Sequence, residues 1–180
     1  MVTIIQENNP VLRKMALEVP VSEIKSPKIR KILARMKEAL DSEEDGVAIA
    51  APQIGELYRI FVVSERVFDV PENVEERRQH VKDKTKKYGH LVFINPVITK
   101  ISKDKALLEE GCLSVRYKYG KIERAKKATV RAFDEHGKKF TRGGSGLMAQ
   151  IFQHETDHLN GILFIDNAID VENIPPEKVE

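Results

Sequence analysis

The order of apolar and polar positions predicts two amphipathic helices. The first starts at Ser26-Pro27, a pair typical of a helix N-terminus, and should end within residues 41–45. The second runs from a possible N-cap at Ser145 to a stop at Asn160-Gly161. Apolar residues of the first helix lie at Ile29, Ile32, Leu33, Met36 and Leu40. The stripe of the second is Leu147, Ile151, His154 and His158, so both histidines lie on its buried side.

Shorter apolar runs predict strands at residues 59–64, 91–99 (interrupted by Asn95-Pro96), 106–115, 128–133, 138–142 (after a hairpin turn at 134–137) and 162–166. Because these strands do not alternate regularly with helices, the pattern predicts an α+β fold rather than repeated βαβ units. We expect a single domain over residues 1–180. Its mixed or antiparallel β-sheets would pack around the second helix, with the first helix near the N-terminus.

Two segments look peripheral to that core. Residues 65–90 are highly charged and predict a solvated insertion that is partly helical after Pro71. The tail, residues 170–180, contains Pro175-Pro176 and is predicted to fray.

Composition narrows the classes of function. The chain is 41% hydrophobic and 32% charged, as in a globular domain, and its net charge is +2 from 30 basic and 28 acidic residues. That balance gives no reason to expect sequence-specific nucleic-acid binding. No apolar run approaches the roughly 20 residues of a membrane span, and the N-terminus lacks the pattern of a signal peptide. We therefore expect a cytoplasmic protein without a membrane partner.

Residues 153–158, Gln-His-Glu-Thr-Asp-His, carry the clearest chemical signal. His154 and His158 are one helical turn apart, so both imidazoles can reach one metal ion. Two surface histidines could share this spacing by chance, but these continue an apolar stripe, and buried imidazoles need partners. Glu155 lies beside them, where it can handle the protons of a metal-bound water. The motif therefore predicts a metallohydrolase.

Cys112 is the candidate for a third ligand, because it is the only cysteine of the chain. Alone it would be read as a small buried apolar residue, but beside a histidine pair it can supply a thiolate. Three protein ligands leave an open position for water, whose pKa the metal lowers. The oxyanion that forms during hydrolysis needs donors. Candidates are the backbone N–H of Leu113 and the side-chain amide of Gln53, which lies in a small, apolar segment.

Three segments in this order resemble the motifs of the peptide deformylases: residues 46–55, 110–114 and 153–158. Residues 9–13 and 94–96 are also similar, so the resemblance covers residues 4–166. It implies an enzyme that removes the formyl group from the N-terminal formyl-methionine of nascent polypeptides. The reaction would use a metal-activated water. The expected metal is Fe(II), with Zn(II) or Ni(II) as alternatives.

The resemblance also implies roles for individual residues. It implies that Cys112, His154 and His158 are metal ligands, that Glu155 is the acid and base, and that Gln53 and the Leu113 amide stabilise the oxyanion. It further implies that Glu110 pairs with Arg124. The partners would be formyl-methionyl nascent peptides, with the ribosome near its exit tunnel as a further candidate. The chain lacks the long C-terminal helix of some bacterial members, so docking that depends on this helix is not expected.

The substrate cleft is predicted from apolar residues near the motifs. Val47, Leu108, Leu147 and Ile151 are candidates for a pocket that accepts the methionine side chain. The peptide would add as a strand beside residues 46–48, close to Ala48 and Gly111. The family usually has Gly where this chain has Ala48, and often Pro where it has Arg116. Both departures, with the basic and aromatic segment 116–120, bear on substrate preference.

Two other classes of function compete with this interpretation. A metalloprotease of the extended zincin pattern would need a third histidine at residue 164, which is Phe164, or a carboxylate from the tail. The tail offers Glu172, Glu177 and Glu180. A non-catalytic protein with a structural metal would close the site with a fourth protein ligand. His80, His90 and His136 lie in charged or turn segments and are poor candidates for that ligand.

Overall fold

The computed structural model of the chain describes residues 2–71, 76 and 86–175. In this part of the chain there are two α-helices, α1 (Pro27–Ser42) and α2 (Gly146–Leu159). The eight strands are β1 (Ala48–Ala50), β2 (Ile60–Ser64), β3 (His90–Ile101), β4 (Lys105–Cys112), β5 (Val115–Ala125), β6 (Lys127–Phe133), β7 (Lys139–Ser145) and β8 (Ile169–Asn173).

The strands form two antiparallel sheets, which confirms the predicted α+β fold. One sheet has five strands in the order β1-β2-β3-β6-β7, and the other has three in the order β4-β5-β8. β1 therefore lies at an edge of the larger sheet. No helix in the described residues is long and apolar enough to cross a membrane.

The two helices cover opposite faces of the five-stranded sheet, because successive side chains of a strand point to opposite faces. Ile60 and Val62 pack with α1, whereas Phe61 and Val63 pack with α2.

Both predicted helices are confirmed. The hydroxyl of Ser26 accepts a hydrogen bond from the N–H of Ile29 at 3.3 Å, which caps α1. Ser145 is the N-cap of α2, although its side chain makes no capping hydrogen bond.

α2 also connects the two sheets. The side chain of Gln153 accepts a hydrogen bond from the N–H of Ala125 and donates one to the carbonyl of the same residue, both at 3.0 Å. Ala125 ends β5, so this amide joins the helix to the smaller sheet. One helix thus holds its histidines where the end of β4 can approach them.

Two strand predictions are wrong. The predicted strand 106–115 is interrupted, because the chain turns at residues 113–114 between β4 and β5. The predicted strand 162–166 is instead a short 3₁₀-helix, Phe164–Asp166, in which the Asp166 carboxylate accepts a hydrogen bond from the N–H of Leu163 at 2.9 Å. An apolar run this short fits several local structures, and the side-chain hydrogen bond favours the turn.

The tail prediction is partly wrong, since β8 (Ile169–Asn173) pairs with β5. The charged segment is also bounded by structure, with a 3₁₀-helix at Glu65–Phe68 and the start of β3 at His90. Its predicted helix after Pro71 falls outside the described residues, apart from Glu76. At Asn95-Pro96, β3 continues through a shift in register rather than ending.

Candidate metal centre and substrate cleft

The C-terminal end of β4 and one face of α2 bring together Cys112, His154 and His158. Their ligand atoms lie within 4.8 Å of one another, and the Sγ of Cys112 is 3.2 Å from the Nε2 of His158. His158 is 1% exposed. Among the described residues these three form a group that could hold a metal ion. We call it the Cys–His–His group.

Buried ion pairs orient His154 within this group. Its Nδ1 lies 2.9 Å from the carboxylate of Glu110, which leaves Nε2 available as the ligand atom. Glu110 accepts two hydrogen bonds from the Arg124 guanidinium at 2.8 and 3.0 Å, and Arg124 donates a third to Asp157 at 2.7 Å. The structure therefore contains the Glu110–Arg124 pair. Burial alone would raise the pKa of Glu110, but His154 and Arg124 outweigh it and lower this pKa to about 2.

The turn after β4 surrounds the thiol with donors. The backbone N–H of Ser114 points at the Sγ of Cys112 from 3.4 Å. The side-chain nitrogen of Gln53 lies 3.6 Å from the same sulfur and donates a hydrogen bond to the Ser114 hydroxyl at 3.0 Å. The N–H of Ala50 holds the Gln53 oxygen at 2.7 Å, which fixes which end of the amide faces the sulfur.

Glu155 differs from Glu110 in its surroundings. It is 3% exposed, and its Oε2 is buried without a hydrogen-bond partner among the described residues. Burial raises the pKa of this carboxyl to about 7, although His154 opposes the shift. A carboxyl of this kind can accept and release a proton near neutral pH.

The donor set fits a transition metal. Bond lengths of 2.0–2.3 Å in a tetrahedral site place neighbouring ligand atoms roughly 3.5 Å apart, comparable with the spacing of the Cys–His–His group. Burial lowers the pKa of His158 well below its usual value, so its ring is neutral, as a metal ligand must be. Burial would also lower the pKa of His154, but Cys112 and Glu110 raise it well above the usual value. Cys112 and Glu110, which favour a proton on His154, would also favour a metal cation bound to His154 in place of that proton.

A cavity of about 650 Å³ opens beside this group. It is bounded by the segment leading into β1, by the facing ends of β4 and β5, and by α2. The predicted site residues that line it are Val47, Ala48, Gln53, Gly111, Cys112, Leu113, Leu147, Ile151, His154 and Glu155. Leu108, also predicted for the pocket, is not among the residues that line this cavity. It lies on β4 opposite Ile122 of β5.

Comparisons with known proteins agree with this geometry. The sequence matches the family described as polypeptide deformylase over residues 1–173. The chain belongs to the peptide deformylase family. It is 38% identical to peptide deformylase 2 of Clostridium acetobutylicum over 156 residues, or 87% of each chain. It is also 38% identical to the peptide deformylase of Thermomicrobium roseum over 181 residues, covering 99% of this chain and 93% of the relative.

Solved peptide deformylases share the fold. A class I type b enzyme from Acinetobacter baumannii, with Met-Ala-Ser bound, matches with a TM-score of 0.77 and 29% identity, covering 93% of this chain and 99% of that one. An enzyme from Synechococcus elongatus in complex with actinonin matches with a TM-score of 0.74 and 30% identity, covering 94% and 79%. The chain is thus a hydrolase that removes the N-formyl group from nascent peptides. Peptide deformylases are metal-dependent, and the Cys–His–His group could bind a metal ion.

The competing interpretations lose their support in the structure. Phe164 packs in a buried apolar cluster, and Glu172 lies on β8, paired with Tyr119 of β5. His90 contacts Asp41 at 2.9 Å, and His136 lies at an exposed turn. None of these four residues belongs to the Cys–His–His group, and His80, Glu177 and Glu180 lie outside the described residues.

Two residues that contact the site, Gln150 and Ile174, are not predicted from the sequence. Gln150 donates hydrogen bonds to the carbonyl of Glu109 at 2.8 Å and to the Glu110 carboxylate at 3.3 Å. A signal for it exists in the sequence, because Gln150 is a polar residue one helical turn before His154 on the same face of α2. Ile174 lines the cavity but gives no comparable signal, since pairing of distant strands and its hydrogen bond to the Tyr117 carbonyl bring it there. Tyr117 also lines the cavity, within the segment 116–120 that is predicted to bear on substrate preference.

Proposed function

We propose that Cys112, His154 and His158 hold the divalent metal with which this peptide deformylase cleaves the formyl amide. The convergence of one sulfur and two imidazole nitrogens beside a cavity carries this proposal. When bound, a divalent metal polarises a carbonyl and lowers the pKa of water. Thiolate and imidazole ligands favour Fe(II), Zn(II) or Ni(II) over Mg²⁺ and Ca²⁺, and we propose Fe(II) as the native metal.

Glu155 is proposed as the general acid and base. Its buried, unpartnered oxygen and its place in the cavity wall support this role. The carboxylate takes a proton from the attacking water as the water oxygen bonds to the formyl carbon. It then gives that proton to the departing amine nitrogen as the carbon–nitrogen bond breaks, which releases formate.

Gln53 and Leu113 are proposed to stabilise the formyl oxygen as it gains negative charge. The amide nitrogen of Gln53 already lies 3.6 Å from Cys112, and its orientation is fixed by Ala50. Leu113 follows the ligand cysteine directly, and its side chain packs in the core, which holds its backbone at the cavity. Donors that are fixed before the reaction need little reorganisation when the charge develops.

The substrate peptide is proposed to add as a strand to β1. β1 is an edge strand, and Val47 and Ala48 line the cavity together with Gly111 from the opposite wall. Leu147 and Ile151 from α2 would then receive the first side chain of the peptide. Main-chain hydrogen bonds to an edge strand give affinity, and side-chain pockets give specificity.

Formate release from formyl-Met-Ala-Ser tests the function directly. Protein purified anaerobically should contain about one divalent metal ion per chain and release formate, whereas acetyl-Met-Ala-Ser should remain intact. Elemental analysis identifies the metal. A metal-loaded protein that releases no formate would contradict the proposed function.

The proposed pocket predicts a preference for methionine at the first position. Burying its side chain is worth about 1.5–3 kcal/mol, so formyl-Met peptides should exceed formyl-Gly peptides roughly 10- to 150-fold in kcat/KM. Equal efficiency would show that the pocket is wrongly placed.

We propose that residues 1–180 form one catalytic domain that works in the cytoplasm, where formylated chains emerge from the ribosome. Contact with the ribosome near the exit tunnel would bring the enzyme to its substrate. Co-sedimentation with translating ribosomes tests this contact. Recovery of all the protein in the supernatant would contradict it.

A further inference from the structure

The wall of the cleft beside Cys112 is a wide bulge of β5. Gly111 and Cys112 are adjacent on β4, yet they pair with Tyr119 and Val115 on β5. Residues 116–118 therefore have no opposite residue on β4, and we call them the 116–118 bulge. All three line the cavity. Bulges next to active sites commonly redirect side chains, and this one begins four residues after the proposed ligand Cys112.

Tyr117, at the centre of the bulge, has a φ of 65°. A bulky residue rarely adopts this left-handed conformation, and glycine would adopt it without strain. Tyr117 is 46% exposed, so burial in the core does not account for the conformation. Strained residues persist where the surroundings fix them, and they concentrate at functional sites.

Three separate segments fix this bulge. Arg116 forms ion pairs with Glu43 and with Asp45, the latter at 3.2 Å, in the segment that follows α1. Lys118 pairs with Glu7 at 2.6 Å. The carbonyl of Tyr117 accepts a hydrogen bond from the N–H of Ile174, just after β8, at 2.7 Å. The backbone of Tyr117 is thus held on both sides and at the residue itself.

The directions of successive side chains in a bound peptide indicate a role for the 116–118 bulge. In a peptide added to β1, the first side chain would point toward α2, and the next would point to the opposite face of the sheet. α1 covers that opposite face, and the 116–118 bulge is anchored to the residues that follow α1. Ile174 and Pro175 line the same cavity and supply apolar surface beside Tyr117.

We propose that Tyr117 is a specificity-determining residue that contacts the side chain after the formylated residue and favours an apolar or aromatic one. This inference rests on the proposed function and on the proposed strand addition to β1. The left-handed backbone presents the ring to the cleft, and the three anchors hold it there. Tyr117 touches substrate but takes no part in the proton transfers.

The test compares formyl-Met-Phe-Ser with formyl-Met-Gly-Ser for the wild-type chain and for Tyr117→Gly. Loss of an aromatic contact should lower the ratio of the two kcat/KM values about 2- to 12-fold. The change should appear mainly in KM. Thermal unfolding should occur at the same or a higher temperature, because glycine relieves the strain. Tyr117→Phe, which keeps the ring, should retain the wild-type ratio.

Leu107→Ala is the matched control, since Leu107 is an exposed apolar residue of β4 outside the cavity. It should leave the ratio unchanged. If Tyr117→Gly fails to fold, Tyr117→Asn carries the same test, because asparagine tolerates this conformation. An unchanged ratio, or equal losses on both peptides, would overturn the proposal. Failure of the wild-type chain to hydrolyse either peptide would count instead against the proposed function.

Discussion

The inner end of the cleft and its outer wall are held by different forces. At the inner end, Gln53, Glu155 and His158 are 1%, 3% and 1% exposed, and buried hydrogen bonds to Ala50 and Ser114 fix the Gln53 amide. The outer wall, the 116–118 bulge, is fixed by ion pairs whose acidic side chains are 24–61% exposed. Buried polar contacts are costly to break, whereas exposed ion pairs contribute little individually. Substitutions should therefore stop the reaction at the inner end and adjust substrate choice at the outer wall.

Cys112→Ala should have the largest effect, because it removes one of three ligands from the inner end. Metal content and formate release should fall together, to near the level of the chelated protein. Elemental analysis and the formate assay measure both. In the wild-type chain the metal should also shield the thiol from alkylation, and chelation should expose it.

His90→Ala is the control for that loss, since His90 contacts Asp41 and lies outside the Cys–His–His group. It should keep both metal and activity. Full metal occupancy with normal turnover in Cys112→Ala would show that the third ligand lies elsewhere.

Glu155→Gln should leave the metal in place but slow turnover by about 10²- to 10⁴-fold, the range for a lost general base. The amide keeps the shape of the side chain and cannot take the proton from water. Metal analysis and kcat separate this effect from the loss of a ligand. Glu123→Gln, at an exposed position that pairs with Lys105, should retain normal kcat. A Glu155→Gln variant with near-normal kcat would rule out the assigned role.

The same contrast explains what the sequence could predict. The histidines lie on one helix, so local periodicity was enough to place both on the buried side, and the single cysteine suggested their partner. The bulge depends on pairing between β4 and β5, and its anchor at Ile174 depends on β8 pairing with β5. The sequence likewise predicts Leu108 in the pocket, whereas its pairing with Ile122, and the fact that it does not line the cavity, follow only from the strand register. Periodicity in sequence describes one element at a time and cannot give such contacts.

Glu110→Gln should weaken the inner end without removing a ligand. The neutral amide would hold His154 and Arg124 less strongly than the carboxylate, and loss of such a supporting partner typically costs 10- to 100-fold in metal affinity. Competition with a chelator measures that affinity. Asp157→Asn should have a smaller effect, because Arg124 would keep both hydrogen bonds to Glu110. Equal metal affinity for Glu110→Gln and the wild-type chain would show that the ligands alone determine binding.

Arg116→Ala should have the smallest effect on kcat/KM. That effect should depend on salt, because ion pairs hold the outer wall whereas buried contacts hold the inner end. The ion pairs of Arg116 are partly open to solvent, where such pairs contribute about 1 kcal/mol, so kcat/KM for formyl-Met-Phe-Ser should fall by about fivefold. Salt screens such pairs, so the difference between variant and wild type should shrink as sodium chloride rises from roughly 0.01 M to 1 M. Arg142→Ala, on β7 outside the cavity, is the matched control and should show no such dependence. If Arg116→Ala lowered kcat/KM a hundredfold or more even at high salt, the contrast between inner end and outer wall would be contradicted. The bulge would then be as essential to the reaction as the proposed metal ligands.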